Sequence, residues 1–152
     1  MTFKNVVYGL LTLLAGFIIF NACQSPEELD KARFYVNGKT LYEAHCQNCH
    51  GGQGEGLGKL YPPLSDTTSL KENHHQLACF IKNGLSGIRQ IGGKTFDTEM
   101  PANPRLSDVE IAYLITYISN SFGNNLGIKR DSTVRKELMQ CQHKKLSLAV
   151  YD

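Results

Sequence analysis

The sequence of 152 residues predicts an all-α fold of about four to five short helices, with one small β-hairpin inserted. The clearest helix signal follows Ser107, where apolar residues recur with helical spacing at Ile111, Leu114, Ile115 and Ile118. Two short β-prone runs on either side of a Gly-Gly pair give the hairpin signal. The length fits one domain, and the chain shows no internal repeat.

Residues 1–22 are predicted to be a secretory signal peptide and not part of the fold. Lys4 precedes an apolar segment over residues 6–20, and a polar stretch follows Cys23. The segment resembles a bacterial lipoprotein signal, in which Cys23 would become the first mature residue and would carry lipid. The alternative is an uncleaved membrane helix of the shortest length that can span a bilayer. In both interpretations the domain is exported and stays attached to a membrane.

Residues 23–35 are predicted to form a polar tether, and residues 36–152 the folded domain. Asn37 can cap a short helix that runs to about residue 45. A second helix is predicted over residues 73–83, because its apolar residues have helical spacing and Gly84 provides a stop signal.

The β-hairpin is predicted from residues 88–91 and 94–96, which flank Gly92-Gly93. The helix after it begins with a capping box, in which Ser107 and Glu110 satisfy each other's backbone donors, and Gly123 is expected to end it. A last short helix is predicted over residues 133–141.

Residues 46–50 form a Cys-x-x-Cys-His motif, which is the attachment site of a c-type haem. Cys46 and Cys49 would add to the haem vinyl groups as thioethers, and His50 would supply a nitrogen ligand to the iron. The glycine-rich residues 51–58 lack the lysine and the preceding strand of a phosphate-binding loop, so we expect them to pass close beneath the ring. The sequence therefore predicts one covalent haem c with its iron as cofactor.

Met100 is the candidate for the second iron ligand. It lies before Pro101, in a loop without expected backbone pairing, and can direct its thioether towards the iron. A lone methionine that only fills a gap in the core is the alternative. His74, His75 and His143 are expected to be solvated, and His45 to pack near the haem edge.

Two further cysteines, Cys79 and Cys141, are predicted to form a disulfide. The basis is the export signal, because disulfides persist in oxidising compartments. Two separate thiols, with Cys79 buried on a helix, are the alternative.

These motifs together resemble the class I cytochrome c family over roughly residues 37–123. The family's first helix carries a glycine and an aromatic residue, as at Gly38 and Tyr42, and its last helix carries a Leu-x-x-Tyr face, as at Leu114 and Tyr117. The resemblance implies the cytochrome c fold, Met100 as the axial methionine, and a proline carbonyl bonded to the other ring nitrogen of His50. Either Pro62 or Pro63 can supply that carbonyl, and Pro63 is taken as the cofactor-contacting candidate.

The function implied is one-electron transfer on the outer side of a bacterial membrane by a protein that is not an enzyme. The family's partners are respiratory complexes, oxidases and dehydrogenases, and a haem subunit of a dehydrogenase or oxidase complex is the alternative. A haem peroxidase, a gas-binding sensor, and a zinc or dithiol site at Cys46 and Cys49 are weaker candidates. The formal net charge of +2 gives no indication of nucleic acid as a partner.

Overall fold

The computed structural model describes the backbone of residues 3–21 and 26–149, and the side chains of residues 3–17 and 26–141. Seven helices and two strands follow one another in this part of the chain: α1 Phe3–Asn21, α2 Pro26–His45, α3 Gln47–His50, α4 Thr67–Glu72, α5 Leu77–Asn83, β1 Arg89–Ile91, β2 Lys94–Phe96, α6 Asp108–Ser119 and α7 Asp131–Ala149. The predicted fold class, mainly helical with one small hairpin, is confirmed.

The chain divides into two compact units, Met1–Ala32 and Arg33–Asp152. The first unit contains α1, whose described side chains are exposed. Among the described helices, none combines the length and the hydropathy that a membrane span requires. Cys23, the predicted lipidation site, lies outside the described residues.

Helix α2 begins at Pro26, so the prediction that a helix starts at Asn37 is wrong. Pro26 suits the first helical turn, and Glu27 and Glu28 are favourable there because that end of a helix is electropositive. The side chain of Asn37 donates to the carbonyl of Arg33 at 2.8 Å within the helix and caps nothing. Residues 26–35, predicted as a tether, are therefore helical.

The single helix predicted over residues 73–83 is also wrong, since the structure has two helices here. Asp66 caps α4 by accepting from the amide of Ser69 at 3.1 Å, and α5 begins only at Leu77. In the turn between them His74 is half-buried, with Nε2 3.1 Å from Oγ of Ser119, so it is not the solvated residue that was expected. His75 is exposed, as predicted.

Helix α6 forms the centre of the core. The predicted capping box of Ser107 and Glu110 is confirmed, and Ile111, Leu114 and Ile115 are fully buried. The helix ends at Ser119, four residues before Gly123, because Asn120 caps it.

Helix α2 packs against α6 at Gly38, as the resemblance implies. A Cβ at this position would collide with the backbone carbonyl of Tyr113, so the close approach of the two helices needs glycine. Next to this contact the rings of Tyr42 and Tyr117 lie 5.3 Å apart.

The hairpin is confirmed and is two-stranded and antiparallel, with Arg89 opposite Phe96 and Ile91 opposite Lys94. Phe96 is buried, and the turn at Gly92 lies directly against the carboxylate of Asp66. These contacts hold the hairpin against the body of the domain beside α4.

Helix α7 is longer than the predicted segment and packs on α5 and α6. The structure joins Cys79 of α5 to Cys141 of α7 in a disulfide with a Cα–Cα distance of 6.1 Å. Val134 is fully buried, and the buried Lys129 forms a 2.7 Å ion pair with Glu137. The C-terminal helix is thus an integral part of the second unit.

Candidate functional site

The Cys-x-x-Cys-His motif forms the short helix α3 directly after α2. The amides of Cys49 and His50 both donate to the carbonyl of Cys46, at 3.1 and 2.9 Å, so one tight turn brings the three side chains together. Cys46 and Cys49 are free thiols and half-buried. Burial, with a smaller contribution from Cys49, raises the pKa of Cys46 to about 12, and this thiol is therefore neutral.

His50 is oriented by the backbone of Pro62. Its Nδ1 lies 3.0 Å from the Pro62 carbonyl oxygen, which can only accept, so Nδ1 carries the proton and Nε2 keeps a free lone pair. Burial lowers the pKa of the imidazole, and the Pro62 bond opposes this shift only in part. The bond is made by Pro62 and not by Pro63, and both prolines line the adjacent cavity.

Gly56 allows the Pro62 segment to come close to His50. A Cβ on Gly56, whose φ is +69°, would collide with the backbone of residues 61–63. The amide of Gly56 donates to the carbonyl of His50 at 2.8 Å, which ties the glycine-rich loop to the motif. This loop passes beside the motif; that it passes beneath the haem ring stays a prediction.

A cavity of about 320 Å³ opens beside Cys46 and His50. A smaller one of about 90 Å³, which Cys49 also lines, shares much of its wall. Most of the apolar residues around the larger cavity come from α4, α5, α6 and the loops next to α4 and α5: Leu64, Leu70, Leu77, Phe80, Ile81, Leu85 and Ile118. His45, expected near the haem edge, lines the smaller cavity.

Met100 lines both cavities, together with Cys46 and His50. The prediction that its backbone is unpaired is wrong. Met100 and Leu85 exchange two hydrogen bonds, each 2.9 Å long, in an isolated antiparallel bridge. This bridge fixes the methionine backbone relative to the end of α5.

The residues present fit a covalently attached porphyrin. Two free thiols, one imidazole with a free lone pair and one thioether share the walls of an otherwise largely apolar space. Soft thioether and neutral imidazole are ligands suited to haem iron.

Three residues contribute to the site in ways that the sequence did not indicate. The hydroxyl of Tyr42 donates to the carbonyl of Gly51 at 2.6 Å, so the helical aromatic residue braces the loop directly after His50. Arg89 and Gln90 of β1 line the larger cavity. A hairpin signal in a sequence gives no indication of which face turns towards a cofactor.

The sequence matches the family model described as Cytochrome c over residues 35–122, which is more than half of the chain. The chain belongs to the cytochrome c family. Haem-based electron transfer is the function of this family and covalent haem c its cofactor, so both predictions are confirmed at that level. Cytochrome c-552 of Thermus thermophilus is 26% identical over 98 residues, which cover 62% of this chain and 74% of that protein.

Two other relatives differ greatly in length. Cytochrome c-555 of Prosthecochloris aestuarii is 30% identical over 87 residues, covering 56% of this cytochrome c and 85% of the relative. The fructose dehydrogenase cytochrome subunit of Gluconobacter japonicus is 30% identical over 109 residues, covering 68% of this chain but only 22% of that subunit. The similarity therefore includes both small cytochromes and part of a larger cytochrome subunit.

Proposed function

We propose that the protein is a one-electron carrier whose haem is tethered by Cys46 and Cys49, with iron ligated by His50 and Met100. The observation that supports this most directly is that His50, oriented by Pro62, shares one apolar cavity with Met100. When bound, the haem iron supplies the ferric–ferrous couple.

The surrounding residues suit repeated electron transfer. The Pro62 bond holds the His50 ring in one tautomer, and the Leu85 bridge holds the backbone that presents Met100. Because both ligands are supported, little rearrangement should accompany a change of charge on the metal. Because the cavity walls are largely apolar and a thioether ligand favours the reduced state, we expect a raised reduction potential.

We further propose that the domain is exported and works on the periplasmic face of a bacterial membrane. Its attachment would be lipid on Cys23, with retention of the N-terminal segment as the alternative. The apolar α1 preceding Cys23 supports this proposal. Its partners would be other redox proteins that dock weakly and transiently.

The proposed ligation is tested by Met100→Ala, with Met139→Ala as the matched control, since Met139 is exposed on α7. We expect Met100→Ala to retain the covalent haem, to lose the weak long-wavelength methionine–iron band of the ferric spectrum, and to bind carbon monoxide when reduced. Met139→Ala should behave as the wild type.

A Met100→Ala spectrum identical to that of the wild type would contradict the proposed ligand set. A high-spin, five-coordinate ferric wild type would favour a peroxidase or a gas sensor instead. Met100→His should retain two axial ligands but lower the reduction potential, because imidazole stabilises ferric iron better than a thioether does.

A haem subunit of a dehydrogenase or oxidase complex is the second candidate. It is favoured by the similarity to the fructose dehydrogenase cytochrome subunit. Gentle detergent extraction followed by mass spectrometry of co-purifying proteins distinguishes the two: a stoichiometric dehydrogenase or oxidase chain supports a subunit, and a monodisperse single chain supports a carrier.

A further inference from the structure

The larger cavity has one formally charged side chain among its lining residues. That residue is Arg89 of β1, and the other polar side chains around the cavity are neutral at pH 7: Ser69, Asn73, Gln76, Gln90 and the imidazole of His50. Arg89 is exposed, so either water or an anion can reach its guanidinium beside this largely apolar space.

The hairpin register explains why Arg89 lies there. Arg89 is opposite Phe96, and residues directly opposite each other project from the same face of an antiparallel pair. Phe96 is 3% exposed and Ile91 is two residues from Arg89, and all three line the smaller cavity. The face of the hairpin that carries these three residues is thus a wall of the smaller cavity, held there by the buried Phe96.

The charge of Arg89 is not matched by a protein carboxylate. Its Nη1 donates to the carbonyl of Ile88 at 3.1 Å, and among the described residues no carboxylate oxygen lies within ion-pair distance of the guanidinium. Glu99 lines the smaller cavity too but forms no ion pair with Arg89. Most of the guanidinium donors therefore remain available to an anion at the cavity.

We infer that Arg89 is the counter-ion of a carboxylate on the haem bound in this cavity. The inference rests on the proposed function, because it needs the porphyrin in that space. A haem carries two carboxylates on one edge of an apolar ring, and guanidinium pairs with carboxylates through two parallel hydrogen bonds. Through this pairing the hairpin raises the reduction potential of the haem.

The sign of this effect follows from charge. An unpaired haem carboxylate stabilises the extra positive charge of ferric iron, and a paired one stabilises it less. Removing Arg89 should therefore favour the ferric state and lower the reduction potential. Because the site is partly exposed, we expect the equilibrium constant for oxidation to be about two- to fivefold larger in the variant than in the wild type.

The experiment compares Arg89→Gln, Arg89→Lys and Lys94→Gln by spectroelectrochemical titration of the holoprotein. Lys94 is the matched control, because it is exposed on the paired strand, lines neither cavity and removes the same charge. Arg89→Gln should lower the potential well beyond Lys94→Gln, and Arg89→Lys should restore most of the difference. The haem carboxylate bending band in resonance Raman should shift in Arg89→Gln and not in Lys94→Gln.

The two levels of failure are distinguishable. A variant that retains covalent haem and the methionine–iron band, yet has the potential and Raman band of Lys94→Gln, overturns the role of Arg89 alone. If the wild type also lacks the methionine–iron band, this result contradicts the proposed function itself. Because Arg89 is exposed, the substitutions should not prevent folding.

Discussion

His74 links three elements of the core through one residue. Its Nε2 contacts Oγ of Ser119 at the end of α6, and its backbone carbonyl accepts from Nζ of Lys129 at 3.1 Å. Lys129 in turn pairs with Glu137 of α7. Burial, then the charge of Lys129 and then that of His75, lower the pKa of His74 to about 4. The residue is therefore neutral in the folded protein at neutral pH.

This shift predicts a pH dependence of stability. The ordinary pKa of histidine is 6.5, so between about pH 6.5 and pH 4 the unfolded chain binds a proton that folded His74 does not. The free energy of unfolding should fall as the pH is lowered through this window. His74→Gln should show a smaller fall over this pH range than the wild type in chemical denaturation. The neighbouring exposed His75→Gln removes only the smallest of the three causes that lower the pKa of His74, so its slope should stay much closer to that of the wild type. Equal slopes in all three proteins would refute the assignment.

The contacts of some single residues could be predicted from the sequence, and those of others could not. The spacing of Cys46, Cys49 and His50 places them in one helical turn, so their proximity follows from local geometry. The choice between the adjacent carbonyls of Pro62 and Pro63 depends on the path of a loop, which local rules leave open. His74 was expected in solvent because its partners are distant in sequence, 45 residues away in the case of Ser119.

Helix α5 connects the site to the C-terminal helix. Leu77, Phe80 and Ile81 line the cavity, whereas Cys79 is bonded to Cys141 of α7. Beyond its end, Leu85 bridges Met100. The disulfide thus fixes α7 to the element that forms one wall of the proposed haem pocket.

Removing this disulfide should mainly reduce stability. The bond spans a sequence separation of 62 residues, and the chain-entropy model assigns a loop of this length about 4 kcal/mol. Cys79→Ser with Cys141→Ser should therefore lower the free energy of unfolding by roughly that amount, while the haem spectrum stays unchanged. Denaturant titration of the holoprotein measures this. If two thiols of the wild type react with an alkylating reagent after unfolding without any reductant, the disulfide is not formed in the cell.

At the scale of elements, local sequence signals predicted where a helix or hairpin turn begins only where every residue of the cap or turn was present. The capping box at Ser107 and the Gly-Gly turn of the hairpin were both predicted at the positions where the structure has them. The start of α2 was misplaced, since Asn37 has the side chain of a cap but lies within a helix that the acidic residues after Pro26 initiate. The turn between α4 and α5 was also missed, and it contains His74 with its tertiary contacts.

The whole molecule extends beyond the region that matches its family. The match covers residues 35–122, within the unit Arg33–Asp152, and α7 lies after it. That helix is nevertheless bound to the core by the disulfide and by the buried pair of Lys129 and Glu137. The N-terminal unit Met1–Ala32 lies wholly outside the match, in keeping with its proposed role in targeting.

This division predicts that attachment to the membrane and assembly of the haem site can be separated. Cys23→Ser removes the thiol that a lipid would modify, while every residue of the proposed haem site is retained. If Cys23 is lipidated, the variant should lose labelling by radioactive palmitate and leave the membrane fraction, with its covalent haem and visible spectrum intact. The opposite outcome is that neither the wild type nor the variant is labelled, and that the variant stays in the membrane fraction after washing and sonication. That outcome would identify a retained N-terminal helix as the anchor.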